Sequence, residues 1–170
     1  MRLFIALPLE GAVLDALAKV RASLERRGVR GNYTREENLH LTLAFLGDYG
    51  DPDRVLEIMG SVSLPRFRLT LDGFGAFAGV LWCGADGGEA LESYVRALRR
   101  ALSQADIPFD RESFRPHITV LRKPELPRGR LPGLEVPAAS MTAERVVLFR
   151  SERGRNGMVY TPLGEVGNCR

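Results

Sequence analysis

The sequence predicts a single domain of mixed α-helix and β-strand, residues 1–170, in which two similar lobes pack together. Short apolar runs alternate with stretches whose apolar residues recur at helical spacing. A strand, a helix and a strand that begins with histidine occur twice in the same order. His40 and His117 lie 77 positions apart, and the same offset carries Leu3 onto Val80. A duplicated layout explains this spacing, although short α/β proteins also repeat strand–helix–strand by chance.

Five elements are predicted in the first half of the chain. An apolar run that ends at Pro8 predicts a buried strand, and a helical apolar stripe that ends before Gly28 follows it. The first histidine strand stops at Gly47, Pro52 opens a short helix, and strict alternation of apolar and polar residues predicts a half-buried strand. These elements are Leu3–Leu7, Val13–Leu24, Leu39–Leu46, Asp53–Met59 and Phe67–Leu71.

The second half repeats the beginning of the first. A buried strand is followed by a turn at Asp86–Gly88, a helix with an apolar stripe, and the second histidine strand, which Pro116 introduces. Residues 123–140 contain four prolines and are predicted to form a loop with little regular structure. A turn near Gly154 and Gly157 joins two final strands. The predicted elements are Val80–Cys83, Leu91–Leu102, a strand from His117, Val146–Phe149 and Met158–Thr161.

The composition is that of an ordinary globular protein, with 45% hydrophobic and 26% charged residues and a formal net charge of +3. The small cationic excess suits an anionic substrate, and it is equally typical of an ordinary surface. No segment approaches the ~20 apolar residues of a membrane span, and the apolar start is too short for a signal peptide. Cys83 and Cys169 are too few for a disulfide framework or a zinc site, so we expect a reducing, cytoplasmic location. Cys83 is expected to be buried and Cys169 to be mobile.

The two histidines of the chain open the same short pattern. One is His40-Leu41-Thr42-Leu43, and the other is His117-Ile118-Thr119-Val120. In a strand, residues i and i+2 point to the same face, so each pattern places an imidazole beside a hydroxyl. The intervening apolar residues are expected to face the core. If the lobes pack as predicted, the two histidine strands face each other across a groove.

Two imidazoles with neighbouring hydroxyls suit in-line chemistry on a phosphodiester. One neutral imidazole can take a proton from water while a protonated one donates to the leaving oxygen, each transfer contributing typically ~10²–10⁴-fold in rate. Thr42, Thr119 and Arg122 could stabilise the charge that develops on the phosphate oxygens. A single strand histidine is commonly structural, threonine favours strands, and an arginine at a strand end can simply face solvent. The recurrence of both patterns favours function.

Other chemistries lack their signatures. The sequence has no phosphate loop, no dinucleotide fingerprint, no nucleophile elbow and no ligand spacing for a metal. We therefore expect acid–base catalysis without a metal or other cofactor. Tyr33 and Tyr160 are candidates either for stacking on a base or for packing. The basic residues are scattered along the chain, so no path for an RNA strand is predicted.

The paired motifs resemble the signature of the two-histidine (2H) phosphoesterase superfamily. Four segments resemble its bacterial and archaeal RNA 2′,3′-cyclic phosphodiesterases, a group also called 2′-5′ RNA ligases. The resemblance spans essentially the whole chain, and the sequence departs from it at Tyr33, where many relatives are expected to have tryptophan. The segments are 2–7 (RLFIAL), 37–47 (ENLHLTLAFLG), 115–122 (RPHITVLR) and 160–163 (YTPL).

The resemblance implies a bilobal α+β fold with antiparallel sheets lining a central groove and helices outside. It implies hydrolysis of an RNA-terminal 2′,3′-cyclic phosphate to a 2′-phosphomonoester. We expect RNA ends or nucleotides with such a phosphate as partners, no membrane, and no obligate protein partner. His40 is implied to be the proton donor to the leaving 3′ oxygen and His117 the proton acceptor that activates water. Thr42 and Thr119 match phosphate-contacting threonines, and Arg122 matches a basic position after the second motif.

Two other functions stay open from the sequence. One is RNA ligation, which forms a 2′-5′ linkage by the reverse reaction. The other is a non-catalytic module that binds RNA ends or nucleotides. Binding alone would not need two titratable groups, which favours an enzyme.

Overall fold

The computed structural model describes residues 1–77 and 79–168, so the predicted mobility of Cys169 falls outside the described residues. The described chain contains three helices: α1 (Gly11–Arg26), α2 (Pro52–Gly60) and α3 (Gly88–Gln104). It also contains nine strands: β1 (Arg2–Pro8), β2 (Arg30–Tyr33), β3 (His40–Asp48), β4 (Phe67–Phe77), β5 (Val80–Asp86), β6 (His117–Glu125), β7 (Ser140–Ala143), β8 (Arg145–Gly154) and β9 (Gly157–Gly167).

The strands form two sheets in which every neighbouring pair is antiparallel. The four-stranded sheet has the order β3-β1-β8-β9, and the five-stranded sheet has the order β2-β6-β5-β4-β7. The expected α+β fold with antiparallel sheets is thereby confirmed. Strands β1 and β3 flank α1 in the chain and pair in the first sheet, while β5 and β6 flank α3 and pair in the second.

Both histidine strands alternate as the sequence predicts. Leu41 and Leu43 of β3 are fully buried, as is Ile118 of β6. The histidines and threonines of both motifs are half-buried and lie on the opposite face of their strands. The expected burial of Cys83 is also confirmed, and burial raises the pKa of its thiol to about 12. The apolar face of each histidine strand therefore anchors it in the core and leaves the polar face free for chemistry.

Two short strands are not predicted from the sequence. Strands β2 and β7 are the edges of the five-stranded sheet, and their polar sequences, RGNY and SMTA, contain no apolar run. Edge strands are half solvated, so they need little apolar patterning. The loop predicted over residues 123–140 is wrong at both ends, because β6 continues to Glu125 and β7 begins at Ser140. The segment between these strands has one short 3-10 turn, Pro127–Gly129.

Gly84 lies opposite His117 in the pairing of β5 with β6, and a side chain at this position would collide with β4. An added Cβ would lie 2.0 Å from the carbonyl oxygen of Asp72. We expect Gly84→Ala to lower the free energy of unfolding by about 1–3 kcal/mol, as overpacking does. The matched control is Gly50→Ala, whose Cβ would meet nothing within 4 Å. Urea unfolding measures both, and an equal effect of the two substitutions would contradict the packing argument.

Candidate active site

A groove of about 350 Å³ lies where β3 of one sheet approaches β6 of the other. The two histidines, the two threonines and Arg122 that were predicted to act on a phosphate all line it, although they come from two distant segments of the chain. Residues of the turn before β3, of the β4 end and of β9 complete its wall. The lining residues are Thr34, Asn38, His40, Thr42, Phe45, Phe77, Val80, Asp110, His117, Thr119, Arg122 and Tyr160.

The two imidazoles are held in the same tautomer by the same local contact. Nδ1 of His40 lies 2.6 Å from the carbonyl oxygen of Asn38, and Nδ1 of His117 lies 2.6 Å from that of Arg115. A carbonyl oxygen only accepts, so each Nδ1 carries the proton and donates it. Each ring therefore keeps Nε2 as the nitrogen available for chemistry.

The environments of the two Nε2 atoms differ. Nε2 of His40 lies 2.9 Å from the hydroxyl oxygen of Thr42, on the same strand face. In the neutral imidazole this nitrogen is an acceptor, so the threonine hydroxyl donates to it. Within the described residues, His117 shows no such contact with Thr119. The first motif is thus internally bonded, whereas the second offers its imidazole directly to the groove.

Aromatic rings lie beside both imidazoles: Phe4 and Tyr160 beside His40, and Phe77 and Trp82 beside His117. The ring of Phe4 lies 4.8 Å from the His40 ring, and Tyr160 presents an edge at 5.3 Å between ring centroids. Burial lowers the pKa of His40, the hydrogen bond to the Asn38 carbonyl raises it, and the charges of Arg122 and His117 lower it further. The net direction is downward, so His40 favours its neutral form more strongly than an ordinary histidine.

Asn38 is a site residue that the sequence analysis did not single out. It is a buried polar residue, and its side-chain amide donates to the carbonyl oxygen of Met158 at 2.9 Å. Its own carbonyl accepts from His40, so it connects the first motif to β9. Its position in the sequence is a signal that could have identified it: Asn38 lies two residues before His40, as Arg115 lies two residues before His117.

The two tyrosines have separate locations. Tyr160 lines the histidine groove, as one of its two sequence interpretations requires. The hydroxyl of Tyr33 donates to the carbonyl oxygen of Val29 at 2.6 Å, and the Arg21 guanidinium lies 4.9 Å from its ring centroid. Tyr33 lines an adjoining groove instead.

Among the residues that the structure describes, no three His, Cys, Asp or Glu side chains are grouped so that they could hold a metal ion. None of the three described helices is long and apolar enough to cross a bilayer.

Comparison with known proteins supports one family. The sequence model of the 2′-5′ RNA ligase superfamily matches residues 10–155. The RNA 2′,3′-cyclic phosphodiesterase of Thermotoga maritima is 30% identical over 97% of this chain and 94% of its own length. That of Aeropyrum pernix is 30% identical over 91% and 96%.

Solved structures agree with the sequence comparison. The crystal structure of E. coli LigT complexed with 3′-AMP is 26% identical and has a TM-score of 0.81, covering 99% of this chain and 98% of LigT. The resemblance drawn from the two histidine motifs is therefore confirmed. The family model spans most of the chain, and the chain belongs to the 2′-5′ RNA ligase superfamily.

Proposed function

We propose that this protein is a hydrolase that opens 2′,3′-cyclic phosphates on RNA ends or nucleotides to give 2′-phosphomonoesters. The observation that carries the proposal is the pair of imidazoles in one groove, each with Nδ1 occupied by a backbone carbonyl. The relatives named RNA 2′,3′-cyclic phosphodiesterase support the substrate class. The nucleotide bound in the LigT crystal supports an RNA-type ligand.

In the proposed mechanism, Nε2 of His117 takes a proton from water as the water oxygen forms a bond to phosphorus. The bond from phosphorus to the 3′ oxygen breaks, and protonated His40 donates its Nε2 proton to that leaving oxygen. The 2′ ester bond is untouched, so the product is a 2′-phosphomonoester. In-line attack requires acid and base on opposite sides of phosphorus, and the placement of the two motifs on separate sheets suits this requirement.

The remaining three residues stabilise the phosphate in this proposal. The hydroxyls of Thr42 and Thr119 donate to non-bridging oxygens, and Arg122 supplies a full positive charge where negative charge develops. The same arginine lowers the pKa of His40 in the free protein. A bound phosphate offsets that positive charge, so substrate binding promotes protonation of His40.

The proposal extends to the organisation of the chain. We infer one domain, residues 1–170, of two related lobes, each with one strand–helix–strand unit and one histidine motif. The antiparallel pairs β1·β3 and β5·β6 support this organisation. We also infer a cytoplasmic location for the protein. The buried free thiol of Cys83 is compatible with such a reducing compartment.

The direct test is incubation of the purified protein with 2′,3′-cyclic AMP in excess EDTA. We expect turnover to 2′-AMP, measured by chromatography against both isomeric standards, because the proposed acid, base and donors are all side chains. In a parallel incubation with RNA ends that carry a 2′,3′-cyclic phosphate and a 5′-hydroxyl, joining without hydrolysis would favour the ligase alternative. Binding without turnover would favour a non-catalytic module, and loss of activity in EDTA would contradict a metal-independent mechanism.

The pH dependence tests paired-imidazole catalysis. One histidine must be protonated and the other neutral, so the profile of kcat/KM, which reports the free protein, should be bell-shaped. Because the pKa of His40 is lowered from 6.5, we expect one of the two limbs to lie below pH 6.5. Bound phosphate promotes protonation of His40, so the same limb of kcat should lie at higher pH. A flat profile of kcat/KM from pH 5 to 9 would contradict two imidazoles that act together.

A further inference from the structure

The orientation of each motif imidazole is local, whereas the distance between the two imidazoles is not. The carbonyl that accepts from each Nδ1 lies two residues before its histidine, so it moves with its own motif. The motifs lie on β3 and β6, which belong to different sheets, and no pairing in either described sheet joins these two strands. In-line attack needs both Nε2 atoms beside one phosphorus, so contacts other than a β-ladder must fix their separation.

The side chain of Arg99, near the C-terminal end of α3, bridges the two motifs. Its Nε and Nη2 donate to the carbonyl oxygen of Leu43 at 3.1 and 3.0 Å, and its Nη1 donates to the carbonyl oxygen of Glu112 at 2.8 Å. Leu43 is part of the first motif, and Glu112 lies five residues before the histidine of the second. One guanidinium therefore ties the strand of the first motif to the segment that leads into the second.

The carbonyl of Leu43 is available to Arg99 because β3 is both an edge strand and an irregular one. β3 is the outermost strand of its sheet, and the register of its pairing with β1 shifts between Thr42 and Ala44, which leaves Leu43 without a partner there. The Leu43 side chain is fully buried, and a carbonyl in such a place needs a donor. The planar fork of a guanidinium supplies two donors to this oxygen and keeps a third for Glu112.

The segment that Arg99 holds connects α3 to β6, and we call residues 105–116 the α3–β6 connection. It has no helix or strand of its own, so its course depends on individual contacts. The backbone amide of Asp110 donates to the carbonyl oxygen of Phe45 in β3 at 2.8 Å. Two aromatic rings of the connection lie against the Arg99 guanidinium, each with its centroid 5.7 Å away: Phe109 and Phe114. The connection is thus docked on the strand of the first motif through the Arg99 side chain and the Asp110 amide.

We propose that Arg99 is a positioning residue, which sets the separation of His40 and His117 by clamping the α3–β6 connection onto β3. The inference rests on the proposed function. Without the clamp, the end of the connection can move away from β3 and displace the start of β6, and His117 is the first residue of that strand. A misplacement of about 1 Å can lower a rate by about 10²-fold. A phosphate in the ground state is affected less, because either motif alone can still contact it.

The kinetic test replaces Arg99 with methionine, which keeps an unbranched apolar stem and removes all three donors. We expect Arg99→Met to lower kcat for 2′,3′-cyclic AMP by about 10- to 100-fold, because the two imidazoles no longer flank phosphorus in line. KM should change little, since the side chains proposed to hold the phosphate all remain. Steady-state rates measure both constants, and circular dichroism confirms that the variant is folded.

Binding of a transition-state analogue separates positioning from a general loosening of the site. The probe is the adenosine–vanadate complex, whose five-coordinate vanadium imitates phosphorus during in-line attack, and the comparison ligand is 2′-AMP. In Arg99→Met we expect the affinity for the vanadate complex to fall by the same factor as kcat/KM and the affinity for 2′-AMP to stay nearly constant. Isothermal titration calorimetry measures both. Equal losses for the two ligands, or an unchanged kcat, would overturn the proposal.

The matched control is Arg111→Met. Arg111 lies on the same connection, donates to the hydroxyl of Ser103 on α3 at 3.4 Å and lies 4.8 Å from the Phe109 ring centroid, but neither contact involves β3. This variant should keep the wild-type kcat and both affinities. If Arg99→Met does not fold, Arg99→Lys replaces it, because an ammonium can donate to one of the two carbonyls but lacks the fork that spans both. A wild-type kcat in Arg99→Lys would then overturn the bridge.

Failure of the proposed function is recognised separately. If the wild type turns over no cyclic phosphate, amide hydrogen exchange still tests the clamp, because the Asp110 amide that donates to Phe45 reports docking of the α3–β6 connection. Arg99→Met should remove protection at Asp110 while the amides of the buried strand β1 keep theirs. Wild-type protection of the Asp110 amide in this variant would overturn the proposal.

Discussion

Replacing either histidine with alanine is expected to lower kcat by about 10²–10⁴-fold, the range for loss of one proton transfer. His40 and His117 are half-buried at the groove rather than part of the core, so both variants should keep the fold. Initial rates on 2′,3′-cyclic AMP measure the effect, and circular dichroism with thermal unfolding monitors the structure. Full activity in either folded variant would contradict paired-imidazole catalysis.

The same variants can order the two roles. A suitable analogue is a 3′-deoxynucleoside that carries a 4-nitrophenyl phosphate on its 2′ oxygen, so that 4-nitrophenolate takes the place of the leaving 3′ oxygen. Its hydrolysis needs no proton donor, because 4-nitrophenolate leaves unprotonated. His40→Ala should therefore recover much of the wild-type rate on the analogue, whereas His117→Ala should remain slow since water must still be activated. The reverse pattern would exchange the assignments of acid and base.

Arg122→Ala is expected to reduce kcat by about 10²-fold, as removal of one preorganised charge stabiliser does. It should also change the pH dependence, because the arginine charge lowers the pKa of His40 in the free protein. Without it, that pKa rises toward its ordinary value, and the limb of kcat/KM that His40 controls moves to higher pH. Steady-state rates measured from pH 5 to 9 detect both effects.

Two variants control the Arg122 experiment. Arg122→Lys keeps the charge and should leave the limb that His40 controls in place while losing part of kcat, since an ammonium lacks the bidentate geometry of a guanidinium. Arg130→Ala removes an exposed arginine from the segment between β6 and β7 and should change neither quantity. An unchanged kcat and pH profile for Arg122→Ala would make that residue an ordinary surface arginine.

The sequence predicted the elements that carry strong apolar patterns. The two histidine strands, the three helices and the first strand of the final hairpin all have buried faces, and burial imposes a period that a sequence displays. The edge strands β2 and β7 have no such requirement, and neither does β6 beyond Arg122, where Lys123, Pro124 and Glu125 follow. These segments become strands because a neighbouring strand offers its backbone groups, which is a tertiary effect.

The candidate site divides in the same way. His40 and His117 could be found because each begins the same local pattern. Asn38 acts through its backbone carbonyl, which accepts from His40, and through its side-chain amide, which donates to β9; no sequence periodicity reveals either contact. The scattered arginines gave no sign of a common surface. Arg35, Lys123 and Arg155 line one groove beside the histidine groove, because β6 has a bulge next to Arg122 and the β8–β9 hairpin lies beside the first motif.

The backbone carbonyl that accepts from each Nδ1 belongs to the residue two positions before its own histidine. Each reactive ring is thus oriented by its own tripeptide, without the distant carboxylate that holds the histidine in many hydrolases. Such a unit is portable. Transplanting Asn-Leu-His or Arg-Pro-His onto the first residues of an unrelated edge strand should transfer a correctly oriented imidazole, which makes these segments suitable parts for enzyme design.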